Sequence, residues 1–215
     1  MSIAIVIAVH DGLVIAADSA STLIVNAPEG VGVANVYDNA NKIFNVLKGA
    51  PIGCVTYGTG SIGNASMGTL IKDFRRKLTD PDAAKELKFD GNKYQMEQIA
   101  KLLSDFLGAE CDKITDKTMR QSINIGLIIS GYSSGESLGE IWSVPVEKGL
   151  AGDPCKLRQA DQVGINWGGE AEVIHRIVLG FSPALHQVLS QVIKPAQPPQ
   201  NFATTLDPLL RAQLQ

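Results

Sequence analysis

Ser2 stands directly behind the initiator methionine and directly ahead of an apolar strand, Ile3 to Val9. Serine is small enough to permit methionine removal, which would leave a mature chain beginning with a hydroxyl and a free α-amine side by side. That pair is a nucleophile with its own base. A second candidate closes the next strand: Gly12-Leu13-Val14-Ile15-Ala16-Ala17-Asp18-Ser19 ends an apolar run on an acid, where an unpaired carboxylate would be costly. Asp18 therefore needs a cation, and Asn41-Lys42-Ile43-Phe44-Asn45-Val46 presents a lysine at the start of a strand. The plainer alternatives are a common small residue after Met1 and a partly buried ion pair that ties two strands together.

The elements that must hold these residues follow from periodicity. Alternation and apolar runs predict strands at 3–9, 13–18, 42–47 and 51–57, with a turn at His10-Asp11-Gly12. Helices are expected over 62–79 and 94–109, then strands at 122–130, 138–145 and 160–166. From Gly169 onward the pattern is helical, with Val173, Ile174, Ile177 and Val178 in one stripe. The stretch between Ser21 and Asn41, rich in Gly, Asn and Ala, reads as an insertion. Residues 1–193 form the expected domain, 194–201 a Pro-rich linker and 202–215 a terminal helix. Strands, helices, strands and helices in that order predict an α+β fold, a four-layer αββα sandwich of two antiparallel sheets flanked by helices.

An acid-ending hairpin, a lysine-starting strand and the strand Pro51 to Tyr57 running into Gly58-Thr59-Gly60, in that order, resemble the proteasome β-subunit family of N-terminal nucleophile hydrolases. Counting back without a gap from the family's Ala-Ala-Asp-Ser segment, here Ala16 to Ser19, sets its N-terminal threonine at Ser2. The resemblance then implies that Asp18 is the family's buried aspartate and Lys42 its catalytic lysine. Gly58 takes the place of the glycine whose N–H forms the oxyanion hole, and Ser130, in Ile129-Ser130-Gly131-Tyr132, that of its supporting serine. The match covers roughly residues 2–22, 41–75 and 122–145. This chain departs from the family in having Ala20 where an arginine is usual and Ser in place of Thr. The family's second aspartate has no clear counterpart: Leu179-Gly180-Phe181-Ser182-Pro183 offers Ser182, and Asp207 is a distant substitute.

On this reading the chemistry is that of a peptidase or amidase. A free α-amine has an ordinary pKa near 8 (roughly), suited to taking a proton at neutral pH, whereas a lone serine hydroxyl is a poor nucleophile. Lys42 would depress the amine's pKa and stabilise the developing alkoxide, while Asp18 orients Lys42. Ser2 Oγ attacks the carbonyl, Gly58 receives the oxyanion, and water resolves the acyl-enzyme; one such oxyanion donor is worth about 3 kcal/mol. The resemblance also implies assembly of copies of the chain into a ring. A catalytically silent assembly subunit of the same fold is the main alternative.

Two other motifs compete. Gly58-Thr59-Gly60-Ser61-Ile62-Gly63 fits the dinucleotide fingerprint after a strand, but no parallel strand with an acidic end follows at the required distance. Gly131-Tyr132-Ser133-Ser134-Gly135 fits a nucleophile elbow, with His175 and His186 downstream, and a serine esterase using Ser133 is a further alternative. An elbow must open into a helix. The segment Glu136 to Pro145 instead alternates like a strand, so a tight hairpin is expected there.

The chain's 215 residues, 45% hydrophobic, suit one domain with a substantial core. A net charge of −3 and a pI near 5.6 leave no electrostatic footprint for nucleic acid. Cys54, Cys111 and Cys155 are odd in number and widely spaced, which points to reduced thiols and a cytoplasmic location. The three histidines share no ligand spacing with them, so no metal or other cofactor is expected. The apolar start breaks at His10-Asp11, too early for a signal peptide, and no run reaches membrane-spanning length. The family's closing helix and strands are either absent or belong to a portion beyond Gln215; an ending inside an apparent helix favours the second.

Overall fold

The computed structural model describes residues 2–27, 30–159 and 161–192, in two compact units that divide between Gly169 and Glu170. The first unit opens with strands β1 (Ile3–Val9), β2 (Gly12–Ala17), β3 (Ser21–Ala27), β4 (Gly30–Tyr37), β5 (Ile43–Asn45), β6 (Ile52–Gly58), β7 (Ser61–Ile62) and β8 (Ala65–Ser66). Helices α1 (Met67–Thr79), α2 (Pro81–Glu86), α3 (Met96–Asp112) and α4 (Lys117–Gln121) follow. It closes with β9 (Ile125–Gly131), β10 (Glu140–Glu147), β11 (Leu150–Ala151), β12 (Cys155–Arg158) and β13 (Gly164–Gly169). The second unit holds α5 (Ala171–Leu179) and α6 (Pro183–Val192). The linker expected at 194–201 and the helix expected at 202–215 lie outside the described residues.

The fold is α+β and its strand pairings are antiparallel. One sheet has the order β13-β1-β2; the other has β11-β10-β9-β6-β5, with β12 also on β10. Strand β1 alternates, turning Ala4, Val6 and Ala8 inward. These meet Val55, Ile128 and Ile141 from the larger sheet, with Leu13, Ile15, Ala17 and Tyr57 packed around them. Strands β6 and β9 are buried along nearly their whole length because their other face is covered too, which explains their continuous apolar runs.

That second face carries helices α1 and α3. Met67, Leu70, Ile71, Phe74 and Leu78 recur on one side of α1, the spacing of a helix lying on a core. Phe74 meets Phe106 of α3 with ring centroids 5.6 Å apart, and truncating so buried a ring to Ala removes about 3–5 kcal/mol. The first unit is thus layered sheet, sheet, helices.

Three expectations are corrected. Strands β3 (Ser21–Ala27) and β4 (Gly30–Tyr37) pair antiparallel, in a stretch that reads as an insertion and where no strand is expected. Helix α1 begins at Met67, not 62, because β7 and β8 form a small hairpin first and the Ser66 side chain caps the helix, accepting the Thr69 N–H at 3.2 Å. Strand β13 starts at Gly164 rather than 160 and reaches Gly169. Within the second unit, the expected apolar stripe is uneven: Ile174 is buried, whereas Val173 and Ile177 are 47% and 75% exposed.

Candidate active site

The β1–β2 ladder ends on an unusual rung. The Asp18 N–H donates to the Ile3 carbonyl at 3.1 Å, and the Ile3 N–H donates back to Asp18 Oδ1 at 2.7 Å. A side-chain carboxylate thus takes the place of a backbone acceptor and pins Asp18 beside the chain start. Asp18 Oδ2 accepts the Ala20 N–H at 3.2 Å. Lys42 is anchored from the opposite sheet, since its carbonyl accepts the Thr56 N–H of β6 at 3.0 Å.

From that anchor the Lys42 side chain reaches across to the smaller sheet. Its Nζ donates to Asp18 Oδ1 at 2.8 Å, to Ser2 Oγ at 3.1 Å and to the Ala20 carbonyl at 2.5 Å. Three acceptors match the three N–H bonds of an ammonium. Lys42 is only 8% exposed, and its charge is met by the carboxylate it faces. Burial alone would raise the Asp18 carboxyl; the Ile3 N–H, the Lys42 ammonium and the Ala20 N–H outweigh that and hold it below the ordinary carboxylate value.

Ser2, Lys42 and Gly58 line one cavity of about 350 Å³, together with Ser21, Asn41 and Tyr57. Gly58 ends β6 with φ +88°, and a Cβ there would run into the Asn124 carbonyl oxygen. Only glycine takes that conformation cheaply and leaves the backbone accessible.

Ser130 stands apart from this group. In the register of β6 with β9, Gly58 lies opposite Ile125 and Gly53 opposite Ser130. Five residues of strand separate the two rungs, about 17 Å at the usual rise. Ser130 is 2% exposed and its Oγ has no hydrogen-bond partner. Its β10 neighbour Ile141 belongs to the core between the sheets.

What occupies the end of the sheet near Ser2 is a pair of glycines that sequence reasoning passed over. Gly169 of β13 pairs with Ile3, and a Cβ on it would strike the Ser2 carbonyl. The Tyr57 ring fills the space where Gly126 and Gly168 would carry side chains, and its burial raises the phenol pKa. A strand ending in two glycines just ahead of a helix was the available signal.

The competing motifs resolve differently. Ser133 is buried, accepts the Met96 N–H at 2.9 Å and donates to Glu140 Oε1 at 2.7 Å. It ties the β9–β10 hairpin to the start of α3, with its proton committed to a carboxylate. Gly58 to Gly63 leads into the β7–β8 hairpin, not directly into a helix. Within the second unit, Ser182 Oγ accepts the Leu185 N–H at 3.1 Å, a cap for α6; Asp207 lies outside the described residues. Among the described residues, no cluster of three or more His, Cys, Asp or Glu side chains could hold a metal, and no helix is long and apolar enough to cross a membrane.

No family model and no curated protein matches this sequence. Among solved structures the chain is similar to Anbu (ancestral beta-subunit) from Yersinia bercovieri, at 14% sequence identity and a TM-score of 0.47, over 98% of this chain and 72% of that one.

Proposed function

We propose that this chain is an N-terminal-serine hydrolase that cleaves peptide or amide bonds once Met1 has been removed. The observation that carries the reading is the contact of Lys42 Nζ with Ser2 Oγ at 3.1 Å and Asp18 Oδ1 at 2.8 Å on the wall of a cavity that Gly58 also lines. With all three Lys42 N–H bonds donated, the proton acceptor for the serine hydroxyl is the freed α-amine of Ser2. Ser2 Oγ forms a bond to the carbonyl carbon as its proton passes to that amine, and the Gly58 N–H receives the oxyanion. Collapse breaks the C–N bond and returns the proton to the leaving amine. Water then adds to the ester, and the hydroxyl of Ser2 is restored.

Ring assembly from copies of the chain accompanies this reading through the resemblance noted from sequence, and a cytoplasmic site of action through the reduced thiols expected of Cys54, Cys111 and Cys155. Ser2→Ala tests it: hydrolysis of a fluorogenic peptide should vanish while the melting profile stays unchanged, and Ser2→Thr should retain a measurable share. Full activity in Ser2→Ala overturns the mechanism. A folded protein that keeps Met1 and cleaves nothing would make the chain a silent assembly subunit.

A further inference from the structure

The charges that line the cavity beside Ser2 are one-sided. Its charged side chains are Lys42 and Lys72, and no Asp or Glu contributes to the lining. Lys42 is fully engaged by Asp18, Ala20 and Ser2. Lys72 is exposed, on α1 one turn after Gly68, which lines the same cavity. Among the described residues no ion pair includes Lys72. Its nearest acidic neighbour in sequence, Asp73, is taken by Arg76 at 3.2 Å. The remaining lining is neutral: hydroxyls from Ser21, Thr56 and Thr59, the Asn41 amide, and the apolar surfaces of Phe44 and Met67.

We infer that this cavity receives a carboxylate-bearing group, with Lys72 as its counter-charge, so that the preferred substrate has an acidic side chain on the residue contributing the scissile carbonyl. The inference rests on the hydrolase reading above for the position of that carbonyl, since the cavity begins at Ser2 and Gly58. A compact, hydrated ammonium on a four-carbon stem reaches a carboxylate without demanding one fixed geometry. A lysine or arginine side chain in the same place would meet repulsion with no acid to offset it. Neutral hydroxyls and an amide line the approach and can hydrogen-bond the carboxylate oxygens.

The test uses two peptides identical except for Glu or Gln ahead of the scissile bond. Hydrolysis is measured on the cleavable pair, and binding by fluorescence polarisation on a labelled pair with a reduced, uncleavable bond. The wild type should favour Glu over Gln by about fivefold in kcat/KM and in Kd, the upper range for a solvent-accessible ion pair. Lys72→Arg should keep the preference, Lys72→Met should bring the ratio to about one, and Lys72→Glu should invert it. Because each ratio is taken within one variant, general damage to the protein cancels. Cleavage of both peptides with a wild-type ratio near one overturns the inference and leaves the hydrolase standing. Selective binding of the Glu peptide without cleavage supports the carboxylate-binding site and overturns the hydrolase. Failure to bind either peptide overturns the inference.

Discussion

Lys42 Nζ lies 2.8 Å from Asp18 Oδ1, and the same oxygen accepts the Ile3 N–H at 2.7 Å. One carboxylate therefore fixes both the ammonium and the start of β1, the segment that carries Ser2. Lys42 belongs with the larger sheet and Asp18 with the smaller one, so the contact also ties the two sheets together at the candidate site.

Breaking that pair should lower stability and activity together. Lys42→Met and Asp18→Asn are each expected to destabilise by about 2–3 kcal/mol, below the range for a fully buried pair because the Asp18 side chain is 28% exposed. Lys42→Arg should recover part of the stability but no activity, since a planar fork cannot meet three acceptors arranged for an ammonium. Urea unfolding and peptide hydrolysis check both. An active Lys42→Arg protein would leave Lys42 a purely structural role.

Acid should unfold the protein through this carboxylate. The folded-state pKa of Asp18 is lowered from 3.8, so its contribution is present above that value and is lost as pH falls through it toward the lower folded value. Glu140 acts likewise from 4.5: burial pushes it up, but Lys156, Ser133 and Trp142 outweigh that and lower it. Stability measured at pH 6 and pH 3 should fall less steeply in Asp18→Asn and in Glu140→Gln than in the wild type. An Asp18→Asn slope equal to that of the wild type would contradict the assignment.

Tyr57 and Gly168 should be coupled. A Cβ on Gly168 would lie 2.2 Å from the nearest Tyr57 ring carbon, so Gly168→Ala is expected to destabilise by about 1–3 kcal/mol, the usual range for overpacking. In a Tyr57→Ala background the same substitution should cost little. A double-mutant cycle reads the difference directly, and additive effects would show that the ring does not hold this position.

Ser133→Ala should separate structure from chemistry. It strands the Met96 N–H and one bond of Glu140, a loss of about 1–3 kcal/mol in stability, while hydrolysis should persist. Lost activity in a folded Ser133→Ala protein would revive the elbow reading of that serine.

The first hairpin, the contact of Lys42 with Asp18 and Ser2, and the helices over the larger sheet were legible in the sequence. Alternation from Ile3 to Val9 sets the buried face of β1, and an acid closing an apolar strand demands a partner. The hairpin of β3 and β4 was not legible, because Gly30, Gly32, Ala34 and Asn35 dilute the strand signal. Ser130 is grouped with the site only through the family resemblance, as the counterpart of its supporting serine. Only the register of β6 against β9 shows that the Ser130 rung and the Gly58 rung are five residues apart. Gly168 and Gly169 escaped notice for the opposite reason: they carry no functional side chain, and their role follows from what packs into the space they leave open.

The most direct measurement of the central claim is the intact mass of the purified protein before and after exposure to a peptide epoxyketone, followed by mapping of the adduct. That reagent closes a ring with a hydroxyl and a neighbouring free amine, so it reports both halves of the proposed nucleophile at once. The expected result is a chain lighter by one methionine that gains a single adduct on Ser2, and no adduct in Ser2→Ala. A folded protein that retains Met1, or an adduct that persists in Ser2→Ala, would contradict it.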